Sequence, residues 1–189
     1  MEIYESTKEI KIVRPTCTKT NEIQVGDQIT VKHYTATCQA ITPKGALFLL
    51  DQYLDEDYPM NEANTNKGGY DESDLRDTLR STEVLDIFED YGDRMVPFDN
   101  GDLLRIPFHG EIFGQEDAGY FEPDDCEQWP LMKDRKNRIA FRKNSWEWGW
   151  LQNKRKGSAS TFANVTTNGL ANSNNASNSN GVRPAFLIN

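Results

Sequence analysis

The stretch GSASTFANVTTNGLANSNNASNSN (157–180), followed at once by GVRPAFLI (181–188), carries most of the information in this chain. From Gly157 to Gly181, 15 of 25 residues are Asn, Ser or Thr, and none is charged. That composition alone is typical of a disordered tail. The apolar run after it indicates a strand that belongs in a core. We therefore expect the polar stretch to be an ordered surface with mostly irregular backbone, since Asn, Ser and Thr favour local side chain–backbone bonds.

Small residues recur along this stretch, and the scaffold can bury them while the polar residues between them project outward. Asn and Ser are adaptable donors and acceptors of hydrogen bonds, as in antibody loops. We predict one solvent-exposed face that binds a ligand. The small residues are Ala159, Ala163, Gly169, Ala171, Ala176 and Gly181. The candidate ligand-binding residues are Phe162, Asn164, Thr166, Asn168, Leu170, Asn172, Asn174, Asn175, Asn178 and Asn180.

Arg183 is the one charge between Lys156 and the end of the sequence, and it lies within an apolar run. A buried arginine is unfavourable unless it is paired. We expect a partner in the acidic first part of the chain, at Asp71 or Asp74. The apolar neighbours expected in the core are Val182, Ala185, Phe186 and Ile188.

The length of 189 residues fits a single domain, 1–189, with 1–24 as an N-terminal extension or first strand. The net charge is −9, but residues 1–132 carry −17 and residues 133–189 carry +8. This acidity argues against nucleic acid as a partner. There is no apolar run long enough for membrane insertion and no signal-peptide pattern, so localisation stays open. Three widely spaced cysteines argue against both a disulfide framework and a zinc site.

Alternation predicts strands at EIKIV (9–13) and QITVKHYTA (28–36), and LLRIPF (103–108) is predicted to be a short strand ended by Pro107. A turn at 42–45 leads into ALFLL (46–50), which we expect to be a fully buried strand, and 51–70 is predicted to be a loop. Two helices should follow, the first capped by Asp71 or Ser73 and the second by Ser81 or Thr82 and ended by Tyr91-Gly92. Spacing predicts one strand face for Trp146, Trp148 and Trp150.

Catalytic chemistry finds little support in the sequence. His33 and His109 read as structural or surface residues, and the chain lacks the short motifs of hydrolases, metalloproteases and phosphate-binding loops. The acidic turns at 99–102 and 124–125 could offer oxygen ligands to calcium, but they match no known loop spacing and are expected to be solvated. We expect no catalytic residue, no metal and no cofactor.

Four segments, in this order, resemble a bacterial and phage domain family that ends in a GVRPAF-like strand. They are YDESDLRDTL (70–79), GDLLRIP (101–107), WGWLQN (148–153) and GVRPAF (181–186). The resemblance spans about residues 25–189. In place of the usual Arg-Ser the chain has Gln152-Asn153, which leaves open whether this strand end is mutable.

The resemblance implies an α+β, C-type lectin-like fold with short antiparallel strands, two helices and much irregular structure, related to formylglycine-generating enzymes. It further implies a target protein of a diversity-generating retroelement, with 148–189 as variable region and closing strand. In such systems a reverse transcriptase misincorporates at adenines, so Asn codons mark mutable positions. The expected function is ligand display by a phage receptor-binding (tail) or surface-adhesion protein, with a protein or glycan on a host or target cell as partner. The alternative is an enzyme or enzyme subunit on the same fold, although that enzyme's C-terminal cysteine pair has no counterpart after Cys126.

Overall fold

A computed structural model describes residues 22–189, so the strand expected at 9–13 lies outside the described residues. The strands are β1 Gln28–Val31, β2 Tyr34–Thr42, β3 Gly45–Leu50, β4 Tyr58–Pro59, β5 Met95–Val96, β6 Phe141–Arg142, β7 Ser145–Trp146, β8 Gly149–Lys154, β9 Thr161–Val165, β10 Ala171–Asn175, β11 Ser179–Asn180 and β12 Ala185–Ile188. The helices are α1 Asp74–Leu79, α2 Thr82–Leu85, α3 His109–Phe113 and α4 Arg135–Arg138. Short 3₁₀ segments cover Tyr70–Glu72, Asp86–Arg94, Ala118–Tyr120 and Pro130–Lys133. The fold is a strand-rich α+β arrangement, as expected at that level.

The main sheet has five antiparallel strands in the order β1-β2-β3-β12-β5. Residues 46–50 are all buried, and the turn before them is closed by a hydrogen bond from Thr42 Oγ1 to the carbonyl of Gly45, 2.8 Å. Strand β12 lies between β3 and β5 and pairs with both. The core strand expected at the end of the sequence is confirmed, because Val182, Ala185, Phe186 and Ile188 are buried.

Two hydrophobic cores lie on opposite faces of the main sheet, because alternate side chains of a strand point to opposite faces. Phe48 and Phe186 face the core that includes the helix side chains Leu75 and Leu79. Leu187 faces the other core, which includes side chains of α3, β8 and β9. A smaller antiparallel sheet, β10-β9-β8, therefore packs against the main sheet through the second core.

The two predicted helices form where the capping residues indicated. Ser73 Oγ accepts a hydrogen bond from the Arg76 amide at 3.2 Å, and Ser81 Oγ accepts one from the Val84 amide at 3.4 Å. The second helix does not end at Tyr91-Gly92 but continues as 3₁₀ helix to Arg94. Helices α3 and α4 were not expected.

The strand predictions need three corrections. Residues 28–36 form two strands joined at Lys32, whose φ of 52° permits a tight turn. Residues 103–108 form only a bridge between Arg105 and Ala185, and Pro107 lacks the N–H that would extend the pairing. The strand expected to carry Trp146, Trp148 and Trp150 is also interrupted, because residues 147–148 lie outside β7 and β8.

The three tryptophans do not share one face. Trp146 and Trp148 are exposed, whereas Trp150 is buried and its indole Nε1–H donates to the carbonyl of Tyr58 at 2.8 Å. Residues 147–148 belong to no strand, so the two-residue period does not run through them.

Arg183 is buried, but the predicted carboxylate partner was wrong. Its guanidinium donates to the carbonyl of Leu50 and to the carbonyl of Asn137 (3.1 Å), and Asp51 lies 3.9 Å away. Asp71 instead lies 3.7 Å from the Arg76 guanidinium of α1, and Asp74 Oδ2 accepts a hydrogen bond from the Glu62 amide at 2.7 Å. Burial raises the pKa of Asp51 despite its hydrogen bonds from Thr37, which agrees with a loose ion pair. Main-chain carbonyls are therefore the closest partners of this arginine.

Phe186→Ala should lower the free energy of unfolding by about 3–5 kcal/mol, the range for removing a buried aromatic ring. Phe186 lies 5.8 Å from Phe48 and 5.0 Å from Phe88, measured between ring centroids, so truncation leaves a cavity at the centre of the first core. Urea unfolding measures the change. The exposed Tyr120→Ala is the matched control and should stay within about 0.5 kcal/mol of wild type. Equal effects of the two substitutions would contradict the assignment.

Candidate binding surface

The Asn-rich stretch is folded as an antiparallel hairpin, which we call the Asn-rich hairpin (residues 161–180). Strand β9 pairs with both β8 and β10, and β10 is the outer strand. The stretch is ordered as predicted, but the expectation of mostly irregular backbone is wrong, since half of it lies in strands. Pairing with β8 gives β9 a ladder on both sides, which outweighs the local preference of Asn and Ser for turns.

The turn of the hairpin depends on Gly169. The Thr166 amide donates to the carbonyl of Leu170, and the Gly169 amide donates to the carbonyl of Thr166, both at 2.9 Å. Gly169 has a φ of +72°, and a Cβ there would lie 2.7 Å from the carbonyl oxygen of Arg135. Only glycine satisfies both constraints. The dipeptide Asn168-Gly169 is a hairpin signal that the sequence reasoning did not use.

Strand register places four of the ten candidate residues on one face: Phe162, Asn164, Asn172 and Asn174. Asn164 is paired with Asn172, and Phe162 with Asn174. Even-numbered positions of β9 and β10 therefore point the same way, and Asn175 points to the opposite face. A shared face is what the sequence led us to expect.

Exposure of that face is only partial. Phe162, Asn164 and Asn180 are buried, so the prediction that they are solvent-exposed is wrong. Strand β9 is the middle strand of its sheet, and Phe162 belongs to the first core. Two candidates are half-buried, Thr166 and Asn174. Five are exposed: Asn168, Leu170, Asn172, Asn175 and Asn178.

The hairpin is closed at its base by a contact that we call the glycine clamp, made by Tyr53, Gly149 and Gly181. The Trp150 amide donates to the Gly181 carbonyl at 3.1 Å, and the Gly181 amide donates to the Trp148 carbonyl at 2.8 Å. A Cβ on either glycine would lie 2.5 Å from atoms of the Tyr53 ring. Of the other small residues, Ala163, Gly169 and Ala176 are buried, Ala171 is half-buried and Ala159 is exposed.

Asparagine amides tie the hairpin to the loop between β3 and α1. Asn66 Nδ2 donates to the carbonyls of Ser158 (2.8 Å) and Thr161 (3.1 Å), at the start of β9. The main-chain N–H of Asn61 donates to the carbonyl of Ala176 at 3.0 Å. Asn174 Nδ2 donates to Oδ1 of Asn180 at 3.0 Å. Much of the amide chemistry near the hairpin is therefore structural.

Gln152 and Asn153, which stand where the resembled family has Arg-Ser, are also buried. Gln152 Nε2 donates to the carbonyl of Ile106 at 2.6 Å. Asn153 Oδ1 accepts from the His109 amide at 2.6 Å, and its Nδ2 donates to Asp124 Oδ2 at 2.7 Å. The hydrogen bonds of Asn153 therefore tie this strand end to α3 and to Asp124.

A shallow cleft of about 170 Å³ adjoins β10 and brings in two residues that the sequence reasoning missed. Tyr120 is 63% exposed and Arg155 is exposed, and Arg155 Nη1 donates to Ser173 Oγ at 2.9 Å. Their proximity to β10 depends on long-range folding, and no local pattern marks Tyr120. Tyrosine and arginine are the side chains most often found at binding hot spots.

The acidic turns are engaged by protein groups. Asp102 is buried between Arg76 (2.7 Å) and Arg80 (3.0 Å), and Asp124 accepts from the Gly110 amide at 3.0 Å. Over residues 22–189, no group of three or more His, Cys, Asp and Glu side chains could hold a metal. In the same residues, no helix is long and apolar enough to cross a bilayer.

The two histidines have different surroundings. His33 is mostly exposed and lies 3.2 Å from Asp55. His109 is buried between the rings of Phe113 and Phe121, with centroid distances of 5.0 and 4.7 Å. Burial lowers the pKa of His109 below its ordinary value of 6.5, so the neutral imidazole is favoured.

Asn164 is an unusual buried residue. It is 0% exposed, and within residues 22–189 neither its Oδ1 nor its Nδ2 has a hydrogen-bond partner. An unpaired buried polar group lowers stability by about 1–3 kcal/mol. The interior therefore accommodates the side chain of Asn164 but leaves both of its polar atoms without a hydrogen bond.

Asn164→Leu should raise the free energy of unfolding by about 1–3 kcal/mol, because leucine has the same number and branching of side-chain heavy atoms as asparagine and no polar atoms to satisfy. Chemical denaturation measures the change. Asn172→Leu, at the exposed partner position, is the control and should change stability by less than about 0.5 kcal/mol. A destabilised Asn164→Leu protein would mean that the amide is satisfied, for example by a buried water.

His109 should make the protein less stable in acid. Above the ordinary pKa of 6.5 the imidazole is neutral in both states. Below it the unfolded chain binds a proton that the folded protein resists, so stability falls with falling pH. Replacing His109 by Phe should reduce the loss of unfolding free energy between about pH 7.5 and 5.5. His33→Gln is the control, and an unchanged pH dependence in His109→Phe would refute the expectation.

Comparison with known protein families gives one match. The model of DUF6273, a domain of unknown function, matches residues 109–189, which is less than half of the chain. No curated protein and no solved structure matches. The matched residues run from the start of α3 through the Asn-rich hairpin to the end of β12. Over these residues the chain is similar to a domain whose function is itself undefined.

Proposed function

We propose that this protein displays a diversified ligand-binding surface on a C-type lectin-like scaffold, as the target of a diversity-generating retroelement. The ligand is a protein or glycan on a host or target cell. A phage receptor-binding or surface-adhesion role would use such a surface. The observation that carries the proposal is the position of the Asn-rich hairpin between two anchors, β8 and β12.

The anchoring strands contain buried residues whose packing must be kept, whereas the hairpin between them contains exposed residues that can vary. Leu151 and Phe186 are buried on either side of the hairpin in sequence. The five exposed candidate residues lie in the turn, on β10 and in the loop that follows it. Exposed positions usually alter stability by less than about 0.5 kcal/mol when they are substituted. A scaffold with this division tolerates many sequences at its surface.

Energetically, a few large side chains usually dominate a protein interface. The exposed hairpin residues are mostly Asn, which contribute adaptable hydrogen bonds but little buried area. Leu170 is the one large apolar residue among them, and Tyr120 and Arg155 are larger groups in the cleft beside Asn172. We infer that affinity rises when diversification adds aromatic or charged residues beside this cleft.

Burial reduces the number of positions within 148–189 at which a substitution could change contact with a ligand. Substitution at Phe162, Asn164 or Asn180 would act on the core of the hairpin rather than on a ligand. The functional set is therefore the five exposed positions, with Thr166 and Asn174 at their margin.

The test is a pair of matched libraries. The first randomises Asn168, Leu170, Asn172, Asn175 and Asn178, and the second randomises Phe162, Asn164 and Asn180. Most members of the first should fold, and selection against cell-surface proteins and glycans should enrich aromatic or charged replacements. Most members of the second should be poorly folded, because the substitutions fall in a packed interior. Soluble expression with thermal melting measures folding, and sequencing after selection measures enrichment.

A failure of folding throughout the first library would contradict the display role, as would selection that enriches nothing. The DNA around the gene gives an independent check. We expect a reverse-transcriptase gene and a near-copy of codons 150–189 that differs mainly at adenines.

A further inference from the structure

The shallow cleft beside β10 lies on the side of the strand to which Ser173 points. Ser173 Oγ accepts a hydrogen bond from Arg155 Nη1 at 2.9 Å, and both residues line the cleft. Ala171 points the same way, because alternate residues of a strand share a side. The cleft holds about 170 Å³, which is below the roughly 300–1,000 Å³ of pockets for drug-sized ligands. It therefore has room for a group the size of a single side chain.

Arg155 is exposed and has no carboxylate partner within residues 22–189. Most other arginines in these residues are in ion pairs with Asp or Glu: Arg76, Arg80, Arg105, Arg138, Arg142 and Arg183. The hydrogen bond to Ser173 is the single side-chain bond of Arg155 in the described part of the chain. That bond orients the guanidinium and leaves its other N–H groups free. A guanidinium presents its donors as a planar fork, which matches the two oxygens of a carboxylate.

Tyr120 and Asp117 also line the cleft. Tyr120 is 63% exposed, so a bound group would cover apolar ring surface that faces solvent. Asp117 is exposed and makes no ion pair with Arg155. Its negative charge opposes a carboxylate in the cleft but engages none of the free N–H groups of Arg155. The cleft thus offers one oriented cation, one apolar wall and one opposing charge.

We propose that Arg155 binds the carboxylate of a glutamate or aspartate side chain on a protein ligand, with Tyr120 packed against the stem of that side chain. The volume of the cleft suits a single side chain, and tyrosine and arginine are common hot-spot residues of protein interfaces. The Asn and Ser residues beside the cleft match the composition of antibody binding loops. The proposal rests on the display role and names its class of ligand. It also assigns a constant contact, since Arg155 and Tyr120 lie outside the Asn-rich hairpin.

The experiment titrates the wild-type chain with three probes and follows main-chain and arginine Nε–H signals by NMR. A constant ionic strength of about 0.15 M holds charge screening fixed. The probes are a capped glycine–glutamate–glycine peptide, its glutamine counterpart, and methyl galacturonate, which carries one carboxylate on a sugar ring. The glutamate peptide should bind in the millimolar range and shift the signals of Arg155 and Tyr120. The glutamine peptide should bind at least about tenfold more weakly, because it lacks the charge. Methyl galacturonate should also bind more weakly, because its ring is larger than the glutamate stem.

Substitutions at two neighbouring cations separate a fitted site from a generally basic surface. Arg155→Ala should weaken binding of the glutamate peptide at least about tenfold. Arg155→Lys should also weaken it, because lysine keeps the charge but loses the fork. Lys156→Ala is the matched control: Lys156 is exposed and does not line the cleft, so the effect should stay within about twofold. Tyr120→Phe should bind as wild type, and Tyr120→Ala more weakly.

Two further substitutions change the charge inside the cleft. Asp117→Asn should strengthen binding about threefold, the effect of removing one like charge several ångströms away in water. Asparagine also tolerates the left-handed backbone at this position, where φ is 56°. Ser173→Asp places a carboxylate of the chain itself on Arg155 and should abolish binding. Ser177→Asp, at an exposed position that does not line the cleft, should leave binding unchanged. The NMR spectrum reports the folding of each variant.

Absence of glutamate-peptide binding to the wild-type chain would overturn the proposal, as would equal binding of the glutamine peptide or tighter binding of methyl galacturonate. So would a loss in Arg155→Ala no larger than that in Lys156→Ala, or weaker binding in Asp117→Asn. The two libraries test folding and diversification, whereas this titration tests the ligand class on the unmodified chain. Libraries that fold and enrich beside a failed titration would refute the carboxylate site alone. A successful titration beside failed libraries would refute the display role alone.

Discussion

The ring of Tyr53 lies against Gly149 and Gly181, the two residues between which the whole Asn-rich hairpin is held. Neither glycine can carry a side chain, since its Cβ would overlap the ring. Two backbone hydrogen bonds join the strands at this point. The glycine clamp thus brings together residues distant in sequence, and β12 can enter the main sheet directly after it. The position of the hairpin follows from this contact, whatever residues the exposed positions hold.

Asparagine side chains near the glycine clamp have three different roles. Asn66 and Asn153 are buried and bind main-chain groups of neighbouring segments, so they stabilise the fold. Asn172 binds the backbone of its own strand at an edge. Asn164 is buried and unpaired. Surroundings therefore determine what each amide contributes, and an Asn-rich composition by itself does not define a binding surface.

Sequence patterns predicted the local features well. The buried run at 46–50 and the capping serines Ser73 and Ser81 were found because apolar runs and caps are signals that lie within a few residues. The core position of Phe186 followed from the apolar end of the chain. The recurrence of small residues led to the prediction of one exposed face for ten residues, and strand register places four of them on one face, of which Phe162 and Asn164 are buried.

Long-range packing decided what the sequence could not predict. Asn164 is buried because β8 covers it on one side, and nothing near residue 164 signals that neighbour. Arg183 pairs with carbonyls of β3 and α4 rather than with Asp71, because those carbonyls come within reach only after β12 enters the sheet. The hairpin's interior and exterior thus depend on which strands flank it. A count of polar residues carries no such information.

The glycine clamp also has a consequence for chain length. A segment whose ends are joined behaves as a closed loop, and the conformational entropy lost on closing a loop grows only with the logarithm of its length. Each doubling adds about 0.6 kcal/mol. The entropy of closing the chain would therefore oppose insertions between Thr166 and Gly169 only weakly, and their main cost would be the lost turn bond from the Gly169 amide to the Thr166 carbonyl. In the display role proposed above, the hairpin could then vary in size as well as in chemistry while Tyr53 and the two glycines remain.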